Sequence, residues 1–196
     1  KARRLRFVTD HPGLIFDSYE ELMKCPEVDI VYIGTPTSHH YAHTMMALEA
    51  GNHVLVEKPF AVNQAQAQQM VNTATERGLF LMEAMWSRFL PSYAQLRGLL
   101  TEGVIGEVQT VSACFGGRMD YLPHQRAFRP DLAGGALLDG GVYPIGLIHM
   151  ILGTPRRVIA DAAFLESGVD GDVAAILDYP GQNGIAMTSI RTTLDG

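Results

Sequence analysis

Apolar and polar positions follow two different rhythms along this chain, and the change between them divides it in two. Ser18 followed by Glu21 opens a short helix, YEELMKC, which Pro26 halts. The β-former run VDIVYIG predicts a buried strand, and TPTSHH a polar turn after it. Tyr41, Met45 and Leu48 then fall at i, i+4 and i+7, the stripe of an amphipathic helix ended by Gly51. HVLVE predicts the next strand. Asn63 caps a second helix with Ala67, Met70, Val71 and Ala74 on one face and Gly78 at its close, and LFLMEAM is a third strand. Strands separated by helices of about a dozen residues are the mark of βαβ units. Residues 1–85 therefore predict part of a doubly wound parallel sheet in an α/β chain, where ligands sit at strand carboxyl ends.

Beyond Trp86 the pattern changes. A helix carrying Leu96, Leu99 and Leu100 leads to the strand-like GEVQTVSACF, then to a glycine-rich stretch, LAGGALLDGGVYPIGLIHMILG. The runs RRVIADAAFLE, DVAAILDYP and GIAMTSIRTTL alternate and predict hairpins around Gly171 and PGQNG. Residues 86–196 thus predict an α+β domain with a mainly antiparallel sheet, which stops at TTLDG without a closing turn or helix. No G-x-G-x-x-G follows an opening strand, so a phosphate-binding glycine loop is expected ahead of Lys1 and the chain reads as an internal fragment.

Composition narrows the function classes. With 196 residues, 47% of them apolar, the chain can bury a core as one or two globular domains. A formal charge of −6 gives no electrostatic reason for nucleic acid, and no apolar run is expected to approach the roughly 20 residues of a membrane span, so a small molecule is the expected partner. The basic opening, KARRLRF, lacks an apolar region behind it and reads as a solvated helix face rather than a leader. Cys25 and Cys114 are too far apart for metal spacing or a disulfide framework, which fits a reducing cytoplasm. His39, His40 and His43 have no carboxylate or cysteine at ligand spacing, so solvent-facing or capping roles are expected and no metal site.

Three strand ends bring chemistry to one sheet edge: Thr35 and Pro36, then Glu57, Lys58 and Pro59, then Glu83 to Arg88. Lys58 has two readings, a surface lysine laying its stem along apolar neighbours or a catalytic ammonium delivered by the strand. Asp139 and Tyr143, four apart, share a face if their stretch is helical, although Pro144 implies a kink or a helix start there. A phenol beside an ammonium relays a proton more readily, and Lys58 is the candidate cation; otherwise Tyr143 packs on a sheet and Asp139 is a surface residue. Gly134, Gly135, Gly140 and Gly141 read as turn or close-packing positions. His124 and Arg126 occupy an irregular stretch, LPHQRAFRP, that lines a pocket or is simply solvated.

TPTSHHYAHTMMALEAGNHVLVEKP, LMEAMWSRFLP and GGALLDGGVYPIG, in this order, resemble the glucose-fructose oxidoreductase and inositol dehydrogenase family, Gfo/Idh/MocA, over nearly the whole chain. Within it they are most similar to the branch of dimeric dihydrodiol dehydrogenases and NADP-dependent D-xylose dehydrogenases. The resemblance implies a partial Rossmann-type domain and NADP or NAD as cofactor. It assigns Lys58 of EKP a catalytic role, places Tyr143 where many members carry a histidine acid/base, and gives Asp139 the task of orienting substrate or lysine. Thr35, Pro36, His40, Glu57, Lys58, Pro59, Trp86 and Arg88 would lie along the cofactor, and Arg126 with Asp139 and Tyr143 in the substrate pocket. The acid that sugar and inositol enzymes carry three residues past the motif histidine is Gly146 here. The expected activity is hydride transfer between a nicotinamide and a sugar such as D-xylose or a cyclic trans-diol, with a dinucleotide- or sugar-sensing regulator of the same fold as the alternative. Apolar alternation in DVAAILDY and GIAMTSI suits either a homodimer through the second-domain sheet or a sheet covered by a helix.

Overall fold

The computed structural model describes residues 13–194; the basic opening stretch lies outside them. Helix α1 (Tyr19–Met23) is capped as its sequence predicts, with the Ser18 hydroxyl accepting the Glu21 N–H at 3.1 Å. The Glu21 carboxylate reaches one residue beyond the usual capping box and accepts the Asp17 N–H at 3.0 Å.

Three strands, β1 (Ile30–Ile33), β2 (His53–Val56) and β3 (Leu81–Glu83), form a parallel sheet in the order β1-β2-β3. Helices α2 (His40–Glu49) and α3 (Gln64–Glu76) provide the crossovers. Asn63 caps α3 through its Oδ1 at 2.9 Å from the Gln66 nitrogen, and Gly78 takes a left-handed φ of +65° just past its end. Val31, Ile33, Val54 and Val56 alternate onto one face and pack against Ala47, Leu48, Met70, Ala74 and Met23. On the opposite face Ile30 and Tyr32 are more than half exposed, at 52% and 58%.

The inward stripe of α2 differs from expectation. His40, Thr44, Ala47 and Leu48 are buried, while Tyr41 and Met45 flank the core half-exposed. The reason is His40, the first residue of the helix, whose ring bonds to backbone on either side and sets the phase of everything after it. It is therefore not solvent-facing, and its backbone N–H closes the preceding one-turn helix (Thr37–His39) on the Thr37 carbonyl.

The second sheet contains β4 (Thr110–Gly116), β5 (Arg157–Phe164), β6 (Asp170–Tyr179) and β7 (Gln182–Ser189) in the order β4-β7-β6-β5. It is mainly antiparallel, with β4 parallel to β7. The β6–β7 hairpin turns on Pro180 and Gly181, the latter at φ +79°, as PGQNG predicts. The β5–β6 turn lies earlier than expected, closed by the Leu165 N–H on the Val169 carbonyl. Gly171 is inside β6, where a Cβ would stand 2.6 Å from Arg191 Cδ, so it is a packing position and not the turn. GIAMTSIRTTL leaves the sheet at Ser189, whose hydroxyl accepts the N–H groups of Arg191 and Thr192 and bends the chain away.

A one-turn helix (Trp86–Phe89) and α4 (Pro91–Thr101) lead from β3 to β4, and a long connection leads from β4 to α5 (Val142–Leu152). Helix α4 buries no side chain fully, and Leu99 of its predicted stripe is exposed. Helix α5 covers one face of the second sheet, with Ile148 fully buried against Ala175, Leu177, Tyr179 and Ala186. Gly184 allows this approach, since a Cβ there would lie 2.4 Å from Ile148 Cγ2. Pro130–Leu152 is apolar and long enough to pass for a membrane span by composition, a run the sequence reading overlooked. Its backbone is broken by a left-handed Ala133 and by a π-helical turn, Leu137–Gly141, and the 11 residues of α5 reach only about half of a bilayer's ~30 Å.

Candidate active site

Strand β2 ends in Glu57, Lys58 and a cis Lys58–Pro59 bond, so the lysine leaves the sheet at its carboxyl edge. Its Nζ donates to the Asp139 carbonyl oxygen at 2.6 Å and to Asp139 Oδ1 at 3.2 Å, and stands 5.1 Å from the centre of the Tyr143 ring. The ammonium therefore lies over the ring face. Residues eighty-odd positions apart in sequence meet here, and Lys58 is the cation beside the Tyr143 ring that the sequence nominates.

The π-helical turn explains how Asp139 presents both its carbonyl and its carboxylate. Pro144 has no N–H to offer the carbonyls one turn before it, and the Asp139 oxygen accepts from Lys58. Gly140 and Gly141 let this turn settle on the sheet: a Cβ at Gly140 would be 2.9 Å from the Thr188 hydroxyl, and one at Gly141 3.1 Å from Leu137. Gly135, at φ +117°, could carry no side chain either, because a Cβ would lie 2.1 Å from Asp170 Oδ1, which belongs to the carboxylate that accepts the Leu137 N–H.

Arg126, in a one-turn helix (Arg126–Phe128) seated on Ala127 and Phe128, donates to the same Asp139 Oδ1 at 2.8 Å. Burial alone would push the Asp139 carboxyl up; the Arg126 hydrogen bond and the Lys58 and Arg126 charges outweigh it and hold the group below the usual aspartate range. Asp139 is thus a fixed anion between two cations. The Tyr143 hydroxyl accepts the Trp86 indole N–H at 2.9 Å, and Phe115 of β4 packs 4.8 Å from the Tyr143 ring. Trp86 and Phe115 remain 57% and 51% exposed, leaving an open aromatic wall beside the charges.

Thr35, Pro36, Thr37, His40, Glu57, Lys58, Arg126 and Asp139 line a cleft of about 170 Å³ at the sheet edge. Of the residues expected along a cofactor, Thr35, Pro36, His40, Glu57 and Lys58 are brought together there. Pro59 is buried behind it, and its carbonyl accepts from His40. Arg88 is exposed and outside the cleft lining, with its carbonyl taken by Arg97, so the structure does not place its side chain at the cleft. His124 is exposed. Among the described residues no cluster of three metal-type ligands occurs.

Four contacts were not read from sequence. The Tyr32 hydroxyl donates to Glu57 in a short hydrogen bond, and Glu57 also accepts the Lys58 N–H at 3.0 Å. That contact raises the Tyr32 phenol above its ordinary value. Glu83, at the end of β3, accepts the Phe60 N–H at 2.8 Å; burial pushes its carboxyl up, against the opposing pull of that hydrogen bond. His43 meets the Thr35 hydroxyl at 3.1 Å, and burial with the neighbouring His39 and His40 lowers its pKa. Tyr32 had a sequence signal as the last outward residue of β1 beside the next strand's acid, and Glu83 was already marked as the end of the third strand.

Comparison with known proteins identifies the two halves of the chain. Residues 1–85 match the model of an oxidoreductase family with an NAD-binding Rossmann fold, and residues 93–195 that of the GFO/IDH/MocA C-terminal domain. The chain is 43% identical over 169 residues to a trans-1,2-dihydrobenzene-1,2-diol dehydrogenase of Macaca fuscata fuscata, covering 85% of this chain and 50% of that protein. It is 40% identical over 198 residues to a D-xylose 1-dehydrogenase (NADP(+)) of Hypocrea jecorina, covering 92% and 51%. Among solved structures, a 3-ketoreductase from Actinomadura kijaniata in complex with NADP and TDP-benzene superposes with a TM-score of 0.89 at 32% identity, over 98% of this chain and 60% of that one. The chain spans about half the length of the curated relatives it matches. Two family models in order, one on each sheet, show that this chain belongs to the Gfo/Idh/MocA oxidoreductases.

Proposed function

We propose that this chain supplies the reaction centre of an NADP-dependent dehydrogenase acting on a hydroxyl of a pentose such as D-xylose or of a cyclic trans-diol. One observation carries the reading: the Lys58 ammonium is held by Asp139 over the Tyr143 ring, at the carboxyl edge of a parallel sheet. The residues present fit a nicotinamide dinucleotide, because the cleft lies at that edge and offers the Thr35 hydroxyl, the Glu57 carboxylate and Lys58 to ribose and amide groups. When bound, the nicotinamide supplies the hydride acceptor.

In this reading Tyr143 passes its own hydroxyl proton to solvent as its oxygen takes the proton of the substrate hydroxyl, and Lys58 stabilises the negative charge developing on the substrate oxygen. Asp139 orients the lysine through two acceptors, and Arg126 anchors Asp139. Trp86 holds the phenol from one side, and with Phe115 gives the substrate ring an apolar face to stack on. Each matched dehydrogenase supports one of the two substrate classes, and the printed name of the D-xylose enzyme supplies the cofactor preference. The uncovered face of the second sheet, with Ile159, Ile176, Ile185 and Met187 exposed, supports a homodimer formed there, and the mass of the full-length protein in solution is its check. Cys25 and Cys114 are not joined in a disulfide, which supports a cytoplasmic setting.

The experiment is NADP reduction by the full-length protein on pentoses, hexoses and trans-diols, beside Lys58→Met. We expect the substitution to lower kcat by about 10³-fold with dinucleotide binding retained. Turnover unchanged in Lys58→Met removes the mechanism, and dinucleotide binding without turnover on any substrate favours a sensing regulator.

A further inference from the structure

One side chain joins two loops that bound the cleft. His40 is 1% exposed, with Nδ1 2.8 Å from the Pro59 carbonyl oxygen and Nε2 2.9 Å from the Thr35 carbonyl oxygen. Both partners can only accept. A neutral imidazole has one N–H and one lone pair, so it satisfies one carbonyl and turns a lone pair on the other; with hydrogen on both nitrogens, both loops are held. Pro59 directly follows Lys58, and the next residue, Phe60, is gripped from the other side by Glu83. The lysine loop is therefore pinned from α2 and from β3 immediately after the reactive ammonium.

We propose that His40 is a positioning residue, whose doubly protonated ring ties the Thr35 turn to Pro59 and so sets Lys58 against Asp139, and that loss of one ring proton releases one end of the tie. The proposal rests on the reading of Lys58, Asp139 and Tyr143 as the reaction centre. It changes the part that the family resemblance gives His40, because a ring spent on two backbone carbonyls has no nitrogen left for a cofactor. Glu83 faces the ring from β3 and His43 from its own helix, and Glu57 and Lys58 line the same cleft.

The test follows the His40 ring nitrogens by ¹⁵N NMR in the full-length protein, beside the pH dependence of kcat at saturating NADP. Both nitrogens should carry hydrogen wherever kcat is full, and one should lose it over the pH interval in which kcat falls. His40→Gln, with no titrating ring, should lower kcat about tenfold or more, abolish that step and leave the NADP KM within about threefold. Glu83→Gln removes the facing anion and should move the step to lower pH, a readout that stands if His40→Gln does not fold. A bare His40 nitrogen at full kcat, an unmoved step in Glu83→Gln, wild-type kcat in His40→Gln, or a rise in the NADP KM alone would each overturn the proposal. If no substrate turns over, the reaction-centre reading fails separately, and a bare His40 nitrogen at neutral pH still overturns the tie.

Discussion

The two sheets bring their polar groups to the cleft by different means. In the parallel sheet the strand itself is the carrier: β2 buries Val54 and Val56 and then runs straight out into Glu57 and Lys58. In the mixed sheet the charged partner comes from no strand. Asp139 and Tyr143 ride on a π-helical turn and the first residues of α5, and their height over the cleft is fixed by how closely that helix seats on β4 and β7. A strand-borne group needs only the strand to form, whereas a helix-borne group also needs the packing beneath the helix to be right.

Two core truncations sharpen this contrast. Ile148→Ala empties a fully buried position under α5 and should cost about 3 kcal/mol of stability by denaturant titration, with kcat falling about tenfold as the helix shifts. Val54→Ala, equally buried in β2, should cost about 2 kcal/mol and leave kcat within about twofold. Equal effects on kcat would break the distinction.

A smaller effect separates the two carboxyls on either side of Lys58. Glu83 is raised in the folded state, so its contribution is present below the ordinary glutamate value and is lost as pH rises through the folded value. Asp139 is depressed, so its contribution is present above the ordinary aspartate value and is lost as pH falls through the folded one. Thermal melts across this range should show a Tm that declines on both sides. Glu83→Gln should flatten the upper decline only, and a variant that flattens neither would show that Glu83 does not titrate with folding.

Much of this arrangement was legible in the residues. The parallel strands announced themselves as β-former runs ended by glycine or by charge, and Asn63 and Gly78 marked the limits of a helix because capping is local chemistry. Lys58 was visible for the same reason, as a charge where a buried strand stops. The link to Asp139 came with less warning, since a π-helical turn breaks the period of 3.6 on which a shared face is judged. His40 was misread because its role depends on two carbonyls, and backbone acceptors have no sequence signature. Gly171 looked like a turn residue, yet its constraint is the Arg191 side chain beside it, a contact made only after folding.

The missing side chain at position 184 reaches further than its place beneath α5 suggests. A single methyl added there would meet Ile148 first, and the helix would have to lift or tilt to make room. Asp139 and Tyr143 would travel with it while Lys58, anchored in the other sheet, stayed behind. Reactivity in this molecule is therefore exposed to inheritance at a spot that touches no reactant, where the smallest change in bulk would act as a lever.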